Sequence, residues 1–212
     1  MTTSDRQLDG RAEWTAAWER ALPALALVGP GLFFVAALVR AAGIGTLDGD
    51  LDWASRPEGF LMVLGVPFLV ATFILVGRRI SEVALRSGIA VTAFGVLGTT
   101  ALAAISSFRL FTATFIDAGI DPDALNEAFE ASGAWDLGLF VYNAGGFLAW
   151  IIAGIVILRT AIAPKWAGAC FIAGVASVIT AQAAYIALEV FWPLGTGLWL
   201  LGTWGVVKSM RS

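Results

Sequence analysis

Residues 59–77 read GFLMVLGVPFLVATFILVG and are followed at once by Arg78-Arg79. Nineteen residues pass without a charge, and two cations then close the run. A transmembrane helix needs roughly 20 predominantly apolar residues, and basic residues are held on the cytoplasmic side during insertion. The stretch therefore reads as a membrane span whose C-terminal end is cytoplasmic. Outward from it, five further runs of the same kind appear, at about 21–43, 88–107, 137–158, 166–188 and 192–207. The cations between the runs are sorted by side. Ten of the 13 Lys and Arg, among them Arg20, Arg78, Arg79, Arg86, Arg159, Lys165 and Lys208, fall in alternate connections. Only Arg40, Arg56 and Arg109 fall in the others. The expected fold is all-α: a polytopic bundle of six transmembrane helices in the plasma membrane, with both termini cytoplasmic.

Composition agrees. Hydrophobic residues make up 58% of the 212, and charged residues 14%, well under the roughly 25% typical of soluble domains. No signal peptide is expected, because the first apolar run follows about 20 mostly polar residues without a cleavage pattern. Net charge is −3, and most of the acids lie in the predicted outer loops, which argues against nucleic-acid binding. The chain has one Cys and no His. Bis-His haem ligation, His-based zinc sites and Ser-His triads are thereby excluded, and a dithiol oxidoreductase lacks its second thiol. Both lysines flank spans, so no mid-membrane Schiff base is available. No cofactor is expected.

Residues 1–20 read as an interfacial amphipathic helix, with Leu8, Trp14, Trp18 and Leu22 along one face at helical spacing, leaving 21–208 as the transmembrane domain. Gly29-Pro30-Gly31 and Pro67 predict kinks in the first two spans, which either open a cavity between them or are packed shut. Arg79 and Arg159, Gly88 and Gly168, and Arg109 and Glu189 are each 80 residues apart. Spans 2–3 and 4–5 therefore read as a repeated hairpin, with Arg109 and Glu189 expected to pair at its outer rim. Small residues recur every four positions, at Gly95, Thr99, Ala103 and Ser107 and at Ala169, Ala173, Ser177 and Ala181, the spacing that lets helix backbones approach in lipid. Within the long connection 108–136, the third span continues to Ala118 and stops at Gly119. Asp121-Pro122-Asp123 then starts a short helix, expected to lie as a lid over the outer mouth.

The acidic run Asp48-Gly49-Asp50-Leu51-Asp52, with Glu58 after it, lacks the glycine and terminal glutamate of a calcium loop and reads as a solvated acidic loop. A band of polar residues in the outer third is more informative. Asn143 in the fourth span and Gln182 in the fifth lie at similar depth, about 10 Å below the outer surface. Tyr142 and Tyr185 flank them, and Arg40, Arg109 and Glu189 stand at the boundary. Polar groups inside a bilayer face the bundle interior or a wet cavity. These seven residues are the candidate ligand-binding site, one outward-opening polar pocket. The alternative is that the two amides bond each other as packing glue.

The stretch Phe147–Val178, with Arg159-Thr-Ala-Ile-Ala-Pro164-Lys165-Trp166-Ala-Gly168, resembles a pattern in a family of uncharacterised six-helix bacterial membrane proteins. There the fourth span ends in Arg, and a Pro-(Arg/Lys)-Trp-x-Gly turn precedes a Gly-rich fifth span. The resemblance implies the six-helix fold and a bacterial-type plasma membrane, with no known activity.

The functional expectation is a non-enzymatic membrane protein that takes a lipid, a small amphiphile or a partner's helix in that pocket. The alternative is a small secondary transporter or channel, against which the uncharged midplane speaks. Cysteine-accessibility labelling tests the topology. Sites at the N-terminus, Glu82, Pro164 and the C-terminus should label from the cytoplasmic side, and Asp50 and Glu127 from outside. One reversed loop would break the six-span arrangement.

Overall fold

A computed structural model, which describes residues 3–46, 55–183 and 188–210, is helical along nearly all of that length. In chain order the helices are α1 (Thr3–Ala41), α2 (Arg56–Ser81), α3 (Leu85–Asp117), α4 (Pro122–Ser132), α5 (Ala134–Tyr142), α6 (Leu148–Arg159), α7 (Lys165–Ala183) and α8 (Leu188–Ser209). A five-residue π-turn, Asn143–Phe147, joins α5 to α6. Six segments are long and apolar enough to cross a membrane, with α5, the π-turn and α6 together making the fourth. Large apolar side chains cover the outside as well as the core: Phe60, Ile89, Leu97, Phe140 and Val190 are all more than half exposed. Such a surface suits lipid rather than water. Residues 3–20, expected as a separate helix, run into the first span as one helix through Pro23 and Pro30.

The six segments close a ring. α1 packs on α2, α2 on α3, α3 on the α5–π-turn–α6 segment, α6 on α7, α7 on α8, and α8 back on α1. At the centre sits Trp150, 2% exposed. Its ring lies 4.6 Å from both Phe73 of α2 and Phe171 of α7, and stacks on Trp199 of α8 at 5.6 Å. Aromatic pairs at 4.5–7 Å add directional attraction to their large buried area. The void left among Pro30, Phe73, Gly98, Tyr142, Trp150 and Trp199 is about 10 Å³, at the lower limit for a single water.

At this void the proline-bearing spans are packed shut, the second of the two outcomes expected of them, and a Cβ on Gly29 would lie 2.5 Å from the Leu69 nitrogen. Pro30 has no N–H to give the carbonyl of Ala26, its partner in a regular helix. Thr72, fully buried on α2, donates its hydroxyl to Ala26 O at 2.7 Å. The neighbouring helix thus satisfies the carbonyl that the proline frees, and the two spans seal instead of parting.

Glycines set the distances between neighbours. Where α2 meets α3, a Cβ on Gly88 would lie 2.4 Å from the Gly77 carbonyl oxygen. Where α6 meets α7, a Cβ on Gly168 would lie 2.7 Å from the Gly154 carbonyl oxygen. Both hairpins are thus pinned near their turn by a facing glycine pair, of which Gly88 and Gly168 are 80 residues apart. The small-residue stripe of α3 faces inward at Gly95 and Thr99. In α7 the expected stripe is buried at Ser177 and Ala181 but exposed at Ala169 and Ala173, where Gly168, Phe171, Gly174 and Val175 take the inward face instead.

Thr72→Val should leave the Ala26 carbonyl buried without a donor and lower stability by about 1–3 kcal/mol. Against a Pro30→Ala background, which returns a backbone donor, the same change should be nearly neutral. Thermal unfolding of the four proteins in detergent checks this, and an equal loss in both backgrounds would remove the compensation account.

Candidate functional site

The polar centre of the bundle lies at the end where α1 stops, α2 starts and α3 stops. The sequence places Ser55 three residues before Glu58 at the head of a long apolar run. Ser55 caps α2 by accepting the Glu58 N–H at 3.4 Å, and donates its hydroxyl to Ile44 O at 3.2 Å. The cap makes Glu58 a first-turn helical residue, so it is carried into the bundle and is fully buried. Directly below it, a Cβ on Gly59 would lie 2.9 Å from the Leu110 backbone nitrogen, so α2 and α3 touch there and Arg109 is brought alongside. Arg109 Nη1 lies 2.7 Å from Glu58 Oε2, and Arg40 Nη1 lies 3.8 Å from the same oxygen. Next to this group Arg56 donates to Ala113 O at 3.0 Å and pairs with Asp117.

The cluster is incompletely matched. Glu58 Oε1, Arg109 Nε and Thr112 Oγ1 are buried without a protein partner among the described residues. A buried carboxylate oxygen left unmade costs more than a neutral group in the same position. The arrangement can therefore offer one acceptor and one or two donors, within a single ionic cluster, to a polar group. Among the described residues no three Cys, Asp or Glu side chains converge as a metal-binding group.

The seven expected site residues separate. Arg40 and Arg109 meet, through Glu58. Asn143 and Gln182 meet each other in a reciprocal amide pair, Nδ2 to Oε1 at 3.3 Å and Nε2 to Oδ1 at 3.2 Å. Gln182 is exposed on the flank of the bundle, and Asn143 only half buried, so the amides do not face the interior as expected. Each satisfies the other where helices α5–α6 and α7 run side by side, which is the packing alternative. Tyr142 turns away from them into the core, where its ring meets Phe147 at 5.7 Å. Glu189 is exposed in the first turn of α8. The expected Arg109–Glu189 pair is not formed, because Glu58 holds Arg109. Tyr185 lies outside the described residues, as do the acids of 47–54. No hydrogen bond or ion pair among the described residues joins the arginine group to the amide pair, and the two form separate polar contacts.

Comparison with protein-family models, with curated proteins and with solved structures finds no match for the chain. The site is therefore read from its own chemistry.

The short helix expected as a lid is present. Asp121 caps α4, its Oδ1 accepting the Asp123 N–H at 3.1 Å, and Gly133 ends it in the left-handed conformation, both as the sequence indicates. But α4 packs on α5, and its described residues are exposed apart from a half-buried Leu125. Glu58 is the residue that the sequence reading missed. The signal was present as Ser55-x-x-Glu58 before an apolar run, a capping-box spacing that assigns the Glu to a helix rather than to a loop.

Glu58→Ala and Arg109→Ala should each cost about 3 kcal/mol, since breaking a buried pair strands the remaining charge. The double variant should lose clearly less than the sum. Changing both Asn143 and Gln182 to Leu should cost only about 0.6 kcal/mol, the mean for interhelical polar bonds in membranes. Detergent-phase unfolding midpoints compare the two sets, and equal losses would contradict the ranking.

Proposed function

We propose that this chain is a non-enzymatic membrane protein of the plasma membrane, with both termini cytoplasmic, that binds the polar head of a lipid or small amphiphile at its outer end. The site is the Arg40–Glu58–Arg109 cluster rather than the broader polar band. The supporting observation is the fully buried Glu58 with an unmatched Oε1 beside an unmatched Arg109 Nε. Ionisable groups inside a membrane bundle are costly and mark functional sites. A hydroxyl-bearing or zwitterionic head group donates to one of these atoms and accepts from the other. The reading places the chain with the small six-helix proteins that its 159–168 turn resembles.

The binding reading is preferred over the transporter because the ring is filled at its centre. A void of about 10 Å³ passes no solute, and the Trp150 stack carries no charge for a coupling ion.

The test is extraction in mild detergent followed by mass spectrometry of what the full chain retains. Wild type should keep a hydroxylated or zwitterionic amphiphile. Glu58→Gln and Arg109→Gln should each reduce its occupancy about tenfold or more, the worth of a hydrogen bond to a charged group. Equal retention by the variants, or none by wild type, would refute the site. Solute flux into proteoliposomes above that of empty vesicles would favour the transporter instead.

A further inference from the structure

We infer that the opposite end of the bundle holds a second site, independent of the first, for a phosphate-bearing anion, supplied as the head group of an anionic membrane lipid. The turn 160–164 between α6 and α7, the last turn of α2 and the last turn of α8 enclose a cleft of about 650 Å³, within the range of small-molecule sites. Among the described residues three cations line it, Arg79, Lys165 and Lys208, and no acidic side chain does.

The cations are not equivalent. Arg79 builds the wall. Its Nε donates to Ile162 O at 3.3 Å, and its Nη1 pairs with the carboxylate of Glu82 just outside the lining. The Ser209 hydroxyl lies 3.2 Å from the same Ile162 carbonyl and 2.7 Å from Val206 O, its one proton shared between them, so α2 and α8 both adjoin the turn. Lys165 and Lys208 are exposed and make no ion pair among the described residues. The cleft therefore keeps two uncompensated positive charges on a rigid frame.

Its rim points to a lipid as the source of the anion. The Lys208 ammonium stands 5.3 Å over the Trp204 ring, and Trp204 packs on Trp166 at 5.8 Å. Both rings are nearly half exposed, and Leu158, Leu201 and Met210 close by are exposed too. Tryptophan prefers the head-group level of a bilayer, and juxtamembrane cations attract anionic lipids there. A diester phosphate between Lys165 and Lys208 leaves its acyl chains on the adjoining apolar flank. The Pro164-Lys165-Trp166 turn thereby gains a role, supplying one cation and one ring of the same site.

The test titrates the detergent-solubilised full chain with phosphatidylglycerol, with phosphatidylcholine, and with inorganic phosphate, read by native mass spectrometry and by competition. Phosphatidylglycerol should bind in preference to phosphatidylcholine. Lys165→Gln and Lys208→Gln should each weaken it about fivefold, and the pair about thirtyfold, from roughly one surface-cation contribution apiece. The double Lys→Arg variant should retain binding. Both lipids can also occupy the first site, so the titrations are repeated in Glu58→Gln, where that site is impaired and the preference for phosphatidylglycerol and its dependence on the two lysines should persist. Phosphatidylcholine binding equally well, or the double Gln variant binding like wild type, would overturn the site. Competition by inorganic phosphate through the same lysines, without preferential phosphatidylglycerol binding, would overturn the lipid as its source.

Discussion

Backbone-to-backbone contact at glycine is the constraint on which the ring depends. In lipid no hydrophobic force draws apolar helices together, so association rests on close packing and on the few polar bonds that it permits. The Gly77–Gly88 and Gly154–Gly168 contacts bring each hairpin to the distance at which backbones touch. Gly98 does the same between α3 and the π-turn, where an added Cβ would lie 2.3 Å from the Gly146 nitrogen. Only at such separations does Thr72 reach the Ala26 carbonyl on the next helix, and only then are Glu58 and Arg109 within bonding distance.

Closeness at the helix walls also fixes what the middle contains. A six-membered ring of helices leaves an axial space that backbone contact alone cannot fill, and Trp150 with Phe73, Phe171 and Trp199 occupies it. The rings come from α2, α6, α7 and α8, so the centre ties both hairpins and the last helix together. Polar chemistry is left to the two ends. At one it is a buried ion cluster with unmatched atoms. At the other it is an open basic cleft framed by a single carbonyl, Ile162 O, that donors from two helices approach.

The helices were legible because their signal is redundant. A run such as 59–77 repeats the same instruction at every position, so an error in any one residue does not matter. The end of α3 at Gly119 and the start of α4 at Asp121 were legible because turn and cap chemistry is local. The site was less so. Glu58 was read with the acids before it, although a single hydroxyl three residues upstream assigns it to the helix. Arg109 had an acid 80 residues on as its expected partner, but the shorter path across α2 supplied one first. Asn143 and Gln182 were matched in depth correctly, and depth carries no information about azimuth. Which way a side chain points around a helix depends on the phase of the whole segment, which is why the α7 stripe is buried at Ser177 and Ala181 but exposed at Ala169 and Ala173.

Phase in the fourth span is itself set by the π-turn. Five residues there follow a wider helical path, with the Leu148 N–H bonded to Gly145 O where α6 resumes. In register, such a widening acts as one residue added to a regular helix, and one residue corresponds to about 100° of rotation. α5 and α6 are therefore two rods on one axis, clocked relative to each other at Gly145-Gly146. Leu137 and Phe140 point outward on the first rod while Trp150 points to the centre on the second. A one-residue deletion in 143–147 would let the widening close to a regular helix and leave the central tryptophan facing the axis. An insertion there, with no second widening to take it up, would turn the tryptophan by about 100° away from the centre. In this part of the chain length is a coded quantity, and the π-turn is the place where one residue of it is already stored.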